Sequence, residues 1–266
     1  TIAELLRRRN ISLRDRLCLE LGTGRHLPIP IALWLCGARG TCTVDLNPLL
    51  REDLVLEELA YARQHPDAVQ AVFAGHCDPA LFAERWRRLR DAAPRLESVM
   101  TLAGIEYLAP ADAACLPLPD ASVDVLLSHT VLEHIDPAVL PAILREAQRV
   151  LKPGGLLVHR IGFLDHYSYT DPTITSVNFL RYSDAQWEAL AGNRFACHNR
   201  LRGDEFERIF AAAGLTLLEQ DRELDPAAAE AIRRGFPLDA RFRGRDPDML
   251  ACANAWWVAA PGAGLG

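Results

Sequence analysis

The stretch Leu17 to Gly24, Leu-Cys-Leu-Glu-Leu-Gly-Thr-Gly, constrains the fold more than any other part of the chain. Apart from Glu20, its first five residues are apolar or Cys, which suits a short buried strand. It ends in Gly-x-Gly. Glycine reaches positive φ without steric cost and, lacking a Cβ, lets a ligand approach the backbone closely. Pro28 and Pro30 follow at the start of an apolar run, Ile29 to Cys36, that reads as a helix; proline is tolerated in a first helical turn, whose N–H groups lack helical partners anyway. Thr41 to Val44 reads as a second strand, and Asp45 follows it. Strand, glycine turn, helix, strand, acid is a unit of an open α/β sheet, in which ligands sit at the carboxyl ends of the strands. A carboxylate at the second strand's tip can accept hydrogen bonds from a ribose diol. The unit therefore predicts a nucleoside-bearing cofactor.

The dinucleotide fingerprint places a third glycine three residues past the second, with a pyrophosphate on the helix N-terminus. Leu27 occupies that position here. Glu20, just before the turn, would repel a pyrophosphate but suits an ammonium group. Glu20, Gly22, Gly24 and Asp45 together fit S-adenosylmethionine, which has a cationic amino-acid end, a ribose and no phosphate. An NAD(P)-dependent oxidoreductase is the alternative, and Leu27 and Glu20 both argue against it.

With 266 residues, half of them hydrophobic, the chain can bury a substantial core, as one domain with an embellishment. A net charge of −6 argues against a general nucleic-acid or anionic-membrane binder. No apolar run approaches the roughly 20 residues that span a bilayer, and the N-terminal residues show no signal-peptide pattern. Cysteines stand at 18, 36, 42, 77, 115, 197 and 252, an odd number without a C-x-x-C, so no disulfide framework or zinc site is expected. The expectation is a cytoplasmic protein without a metal.

Residues 1–16 read as a short basic helix with Leu5, Leu6 and Ile11 as anchors. Asn47-Pro48 opens a helix to about Gln64, closed by His65-Pro66, and another stretch runs from about Pro79 to Arg90. Residues 48–103 thus form a helical insertion between the second and third strands. Within it, Trp86 lies among Arg85, Arg87, Arg88 and Arg90. That cluster is either a site for an anionic or planar substrate or a lid helix with Trp86 packed inward and the arginines in water. Gly104 to Leu108 is the third strand; Asp112 behind it can accept from an adenine amino group while Ala113 offers its N–H. Ser122 to Ser128 is the fourth strand, with Ser128 and His129 expected near the methionine part of the cofactor. Pro137 opens a helix to about Val150. Leu151 to Gly155 is a turn and Leu156 to Ile161 the fifth strand. Further on, Asp204 to Ala213 is a helix, Leu215 to Glu219 strand six, Ala227 to Arg234 a helix, Cys252 to Ala260 strand seven, and residues 261–266 a frayed tail.

Several segments carry a resemblance in their order along residues 17–162: Glu20-Leu21-Gly22-Thr23-Gly24, Val44-Asp45-Leu46, Asp112-Ala113, Leu116 to Asp120, Val131-Leu132-Glu133-His134-Ile135 and Leu151 to Gly155. The chain resembles a class I S-adenosylmethionine-dependent methyltransferase of the type 11-like group. The resemblance implies an α/β, Rossmann-like fold with a central seven-stranded, mostly parallel sheet, its last strand antiparallel, and helices on both faces. It implies a single domain over 1–266, with the 48–103 insertion as its departure from the family. It also implies that Glu20, Gly22, Thr23, Gly24, Asp45, Leu46, Asp112, Ala113, Ser128 and His129 line the cofactor site, with S-adenosylhomocysteine as product.

The acceptor is expected beside the segment after strand five, residues 163–202. There Asp165-His166-Tyr167, Asn178 to Arg181 and Asn199 to Arg202 are similar in order to a group of uncharacterised bacterial methyltransferases, a likeness that names no substrate. His166 is the first candidate base, since imidazole titrates near neutral pH, with Asp165 and Tyr167 orienting it. His129 is the second, and His134 reads as a helix-packing residue. Arg181, Arg200 and Arg202, with Asn199, either bind an anionic group of the acceptor, which the guanidinium fork suits, or tie the segment to the sheet. The expected activity is methyl transfer to a small-molecule acceptor. A non-catalytic cofactor-binding regulator or scaffold subunit is the alternative, and no oligomeric state is implied.

Overall fold

The structure is a computed structural model that describes residues 2–192 and 198–262. Among them the elements are α1 (Ile2–Arg8), β1 (Leu17–Leu21), α2 (Pro28–Leu35), β2 (Gly40–Val44), α3 (Glu52–Gln64), α4 (Pro66–Phe73), α5 (Pro79–Asp91), α6 (Leu96–Ala103), β3 (Ile105–Leu108), β4 (Val123–His129), α7 (Leu140–Val150), β5 (Leu151–Gly162), α8 (Asp184–Ala191), α9 (Gly203–Ala212), β6 (Leu215–Leu224), α10 (Pro226–Arg233), α11 (Pro247–Leu250) and β7 (Cys252–Pro261). Short 3-10 turns lie at Leu132–His134, His166–Tyr169 and Asn178–Arg181. The strands form one seven-stranded sheet in the order β3-β2-β1-β4-β5-β7-β6. β7 runs antiparallel to both β5 and β6, and the β1, β2 and β3 pairings are parallel. This is the Rossmann-like, mostly parallel sheet expected from the sequence. Cys197 and the tail beyond residue 262 lie outside the described residues.

The chain forms two compact units, residues 1–127 with 146–156, and residues 128–145 with 157–266. In the first, β1, β2 and β3 end in register, Leu21 opposite Val44 and Val44 opposite Leu108. β1 and β2 are almost wholly buried, which is why they read as apolar runs rather than alternating ones. At the other end of β1, Asp124 accepts from the Leu17 N–H (2.9 Å), Arg16 (2.8 Å) and Lys152 (2.9 Å). The insertion is four helices, α3 to α6, packed with α2 around Trp34, Leu59, Phe82, Trp86 and Leu89. Trp86 faces inward and is 8% exposed. Arg85 is not a solvated residue: it donates to the Trp34 and Ala38 carbonyls and so caps the end of α2.

Several boundaries differ from the sequence reading. The helix expected from Asn47-Pro48 starts at Glu52; before it the chain makes other contacts, Asn47 N–H on Asp45 Oδ1 (3.0 Å), Leu49 N–H on the Asn47 carbonyl (2.8 Å) and Arg51 N–H on the Arg25 carbonyl (3.1 Å). Pro66 opens α4 as well as closing α3. The helix expected from Pro137 begins at Leu140, and Leu151 to Gly155 is the irregular start of β5 rather than a separate turn, with Gly154 at φ +77°. β6 continues to Leu224 because β7 pairs with it to that point.

β2 and β3 approach closely where they begin. A Cβ on Gly40 would lie 2.3 Å from the Gly104 carbonyl oxygen, and Gly104, at φ +61°, both ends α6 and accepts from the Thr41 N–H (3.1 Å). Gly40→Ala is expected to force the two strands apart and to destabilise the protein by about 2 kcal/mol. Urea unfolding against the unsubstituted protein checks this; a loss below about 0.5 kcal/mol would mean that the register does not depend on this contact.

Candidate cofactor and acceptor sites

The in-register ends of β1, β2 and β3 release the Gly22–Gly24 turn, Asp45 and the 109–113 loop from one edge of the first unit. Gly22 has φ +81° and donates to the Val44 carbonyl (2.8 Å); Gly24 has φ +67° and donates to Asp45 Oδ2 (2.9 Å). Glycine at 24 is thus required by conformation, while the place its Cβ would occupy is open, with nothing within 4 Å. Asp45 is half-buried, and Leu46 next to it is exposed. Asp112 is exposed, its Oδ1 accepting from the Ala114 N–H (2.8 Å); Ala113 is partly buried.

Glu20 is buried to 4% exposure. Its Oε2 accepts from Thr43 Oγ1 at 2.5 Å, and Thr43 Oγ1 lies 2.6 Å from Thr23 Oγ1. Thr43 has one proton, which it gives to Glu20, so Thr23 is the donor in the second contact. Burial pushes the Glu20 carboxyl up to about 7; the Thr43 hydrogen bond opposes this and the Asp45 charge adds to it. A cationic group is what this carboxyl lacks.

In the second unit, Ser128 is fully buried and its Oγ lies 2.7 Å from His159 Nδ1, so its side chain is engaged in the interior. Burial holds His159 down to about 3, hence neutral. His129 is exposed, with its ring edge-on to Trp256 at 5.7 Å; burial and then the Arg160 charge lower its pKa. Glu133, 1% exposed, accepts from the Gly162 N–H (2.9 Å), and burial pushes it up to about 7 against its backbone hydrogen bonds.

Of the candidate acceptor residues, Asp165 caps the His166–Tyr169 turn by accepting from the Tyr167 N–H (3.0 Å), and burial raises its carboxyl. Tyr167 is 49% exposed. His166 is half-buried and belongs to a group of three imidazoles, 5.0 Å from His134 and 4.6 Å from His198 between ring centroids. Burial and then the His134 charge lower its pKa; burial holds His198 down to about 2. His198 escaped the sequence reading, although it directly precedes Asn199.

Of the two readings of Asn199, Arg200 and Arg202, the destinations of their donors favour the one that ties the segment in place. Asn199 Nδ2 donates to the Leu132 (2.7 Å) and Ile135 (2.9 Å) carbonyls. Arg200, 2% exposed, donates to the Phe179 (2.8 Å) and Tyr182 (2.6 Å) carbonyls and to Asp184 (2.5 Å). Arg202, fully buried, donates to the Phe163 (2.8 Å) and Cys252 (3.1 Å) carbonyls. The run is a clasp on the main chain. Arg181 differs: it is exposed, with its guanidinium 5.7 Å from the Tyr182 ring centre and only a long contact to Asn178. Among the described residues no group of three or more His, Cys, Asp or Glu is arranged to hold a metal ion, and no helix is long and apolar enough to cross a membrane.

The strand order, with a glycine turn facing an acid at the ends of β1 and β2, is that of a Rossmann-like α/β sheet. A family profile described as a methyltransferase domain matches residues 83–159. A malonyl-[acyl-carrier protein] O-methyltransferase of Serratia marcescens is 31% identical over 129 residues, 46% of this chain and 49% of that protein, so the chain spans about half the length of this curated relative. Among solved structures, a protein of Bacillus halodurans C-125 designated a methyltransferase superposes with a TM-score of 0.51 at 14% identity, over 98% of this chain and 99% of its own. The [4+2]-cyclase SpnF gives 0.50 at 15% identity, over 99% and 81%. Geranyl diphosphate methyltransferase, in complex with S-adenosylmethionine, gives 0.50 at 13% identity, over 98% and 84%. The profile match over residues 83–159 and the shared fold make the chain similar to class I S-adenosylmethionine-dependent methyltransferases.

The clasp makes a stability prediction. Arg202→Met leaves two buried carbonyls without donors and is expected to cost about 2–4 kcal/mol, whereas Arg181→Met is expected to change stability by less than about 0.5 kcal/mol. Thermal and denaturant unfolding of the two variants checks the contrast. Equal effects would contradict it.

Proposed function

We propose that the protein transfers a methyl group from S-adenosylmethionine to a small-molecule acceptor and releases S-adenosylhomocysteine. The observation that carries this reading is the buried Glu20 carboxyl beside a glycine turn whose second glycine is tied to Asp45. The residues fit such a cofactor: Gly24 leaves open space over the turn, Glu20 lacks a cation, and Asp45 faces the turn with acceptor capacity left on both oxygens. When bound, S-adenosylmethionine supplies a methyl group on a positively charged sulfur, already activated for displacement. Glu20 pairs with the ammonium group, Asp45 accepts from the ribose diol, and Asp112 with the Ala113 N–H addresses the adenine edge.

In the second unit His166 takes the acceptor's proton where it has one. Its lowered pKa keeps the ring neutral, and so a base, near pH 7. Asp165 fixes the turn that carries it. Arg181 is the remaining arginine of the set for an anionic group of the acceptor. The net charge of −6 favours a small acceptor over nucleic acid.

Calorimetric titration with S-adenosylmethionine, S-adenosylhomocysteine and NAD tests the cofactor assignment. Both adenosyl compounds are expected to bind and NAD not, and Asp45→Ala is expected to weaken binding by about 1.5–3 kcal/mol. NAD preference, or indifference to Asp45, would sink the reading.

The pH dependence follows from Glu20. In the free protein its carboxyl titrates at about 7, and a bound ammonium favours the ionised form. Below about 7 binding must therefore release a proton, and affinity for S-adenosylmethionine is expected to fall as pH falls from 7 to 6, approaching about tenfold per unit well below the free pKa. Glu20→Gln is expected to bind weakly with a flat profile over the same window; a flat profile in the unsubstituted protein would contradict the ammonium pairing.

A further inference from the structure

We propose that the helical insertion contains a binding site for an amphipathic amine, a small molecule with an apolar body and a protonated nitrogen. A cavity of about 620 Å³ opens among α2, α3, α4 and α5, within the size range of clefts that hold small organic ligands. Its walls are apolar, formed by Ile31 and Leu35 of α2, Leu59 and Ala62 of α3, Phe73 of α4 and Trp86 of α5. Its carboxylate lining residues are Glu57 and Glu58, and no Lys or Arg lines it. Both carboxylates stand at an exposed mouth, with His26 Nδ1 2.9 Å from Glu58 Oε1. An apolar body with a cationic head matches that lining; a fatty acid or a phosphate ester meets charge of its own sign.

α4 supports the assignment. None of its residues is fully buried, and Val72 is 68% exposed, although Val69 and Phe73 touch the apolar cluster below. A second cavity of about 540 Å³ lies along the helix, sharing Phe73 and Trp86 with the first. A two-turn helix held by two partly buried side chains leaves apolar surface in contact with water, and a ligand that covers this surface gains the free energy of its burial. None of the lining residues is among those assigned to the cofactor or the acceptor.

The test is a fluorescence titration with the uncharged probe N-phenyl-1-naphthylamine, followed by displacement with decylamine and with decanoate. One saturable site is expected, with decylamine displacing the probe at about tenfold lower concentration than decanoate, a difference of about 1.4 kcal/mol. Ala62→Trp, which fills the cavity from α3, is expected to weaken the probe by about tenfold or more. Ala32→Phe fills it from α2 and serves if the first variant melts early. Joint Glu57→Gln and Glu58→Gln substitution is expected to abolish the preference for the amine while the probe still binds. Absence of saturable binding, probe binding unchanged in a folded cavity-filling variant, or equal displacement by amine and carboxylate would each overturn the proposal. S-adenosylmethionine titrations on the same variants keep its failure distinct from that of the cofactor assignment.

Discussion

A carboxyl group buried at the end of the first strand is the constraint to which the rest of the first unit answers. Glu20 has one hydroxyl donor, Thr43, whose own second neighbour is Thr23. A single neutral donor does not compensate a buried negative charge, and the carboxyl accordingly holds its proton to about pH 7. Asp45 stands close enough to raise it further. Two carboxylates at one glycine turn are unfavourable for a pyrophosphate and favourable for a cation, so the electrostatics separate two cofactor classes that the sheet alone does not. The register matters because Leu21, Val44 and Leu108 end together; a one-residue slip of β2 would turn Thr43 to the other face and leave Glu20 without its donor.

The signals that were legible in the sequence are those whose partners lie close in the chain or follow a strand period. β1, the glycine turn, α2, β2 and Asp45 occupy fewer than thirty consecutive residues, and each is dictated by local conformation or local burial. The arginines show the opposite case. A guanidinium fork serves a ligand carboxylate and a buried main-chain carbonyl equally well, so the side chain announces five donors and not their destination. For Arg202 the acceptors are carbonyls 39 and 50 residues away, and only the folded chain brings them to it. The same holds for His198, whose neighbours His134 and His166 come from two other segments. The start of α3 was misplaced, and before it Asp45 takes the Asn47 N–H, so an acid assigned to the ligand also shapes the turn after it.

The family profile begins inside the insertion. The match opens at residue 83, within α5, and so excludes the glycine turn and Asp45. Between Asp45 and α5 lie α3 and α4, which build a second apolar cluster around Trp34 and Trp86 rather than extending the sheet. Arg85 fixes that cluster to the sheet layer by holding the carbonyls at the end of α2. The helix α2, which follows the glycine turn, is therefore held at its far end by the insertion.

The fold does not determine the reaction, since one of its neighbours is a [4+2]-cyclase. Where an acceptor carries a proton at the reacting atom, a transferase needs a group left free of structural duties to take it. In the second unit those duties are extensive. Ser128 is engaged with His159, Asn199 and both buried arginines hold carbonyls, and Asp165 caps a turn. Burial removes His159 and His198 from titration near neutral pH. His166 is different: it is only half-buried, and its ring stacks on Tyr169 and meets two other imidazoles. Burial and then the His134 charge lower the pKa of His166, and under the proposed function a ring kept neutral suits an acceptor that must lose a proton as its new bond forms, whereas it does nothing for a protein that only binds its cofactor.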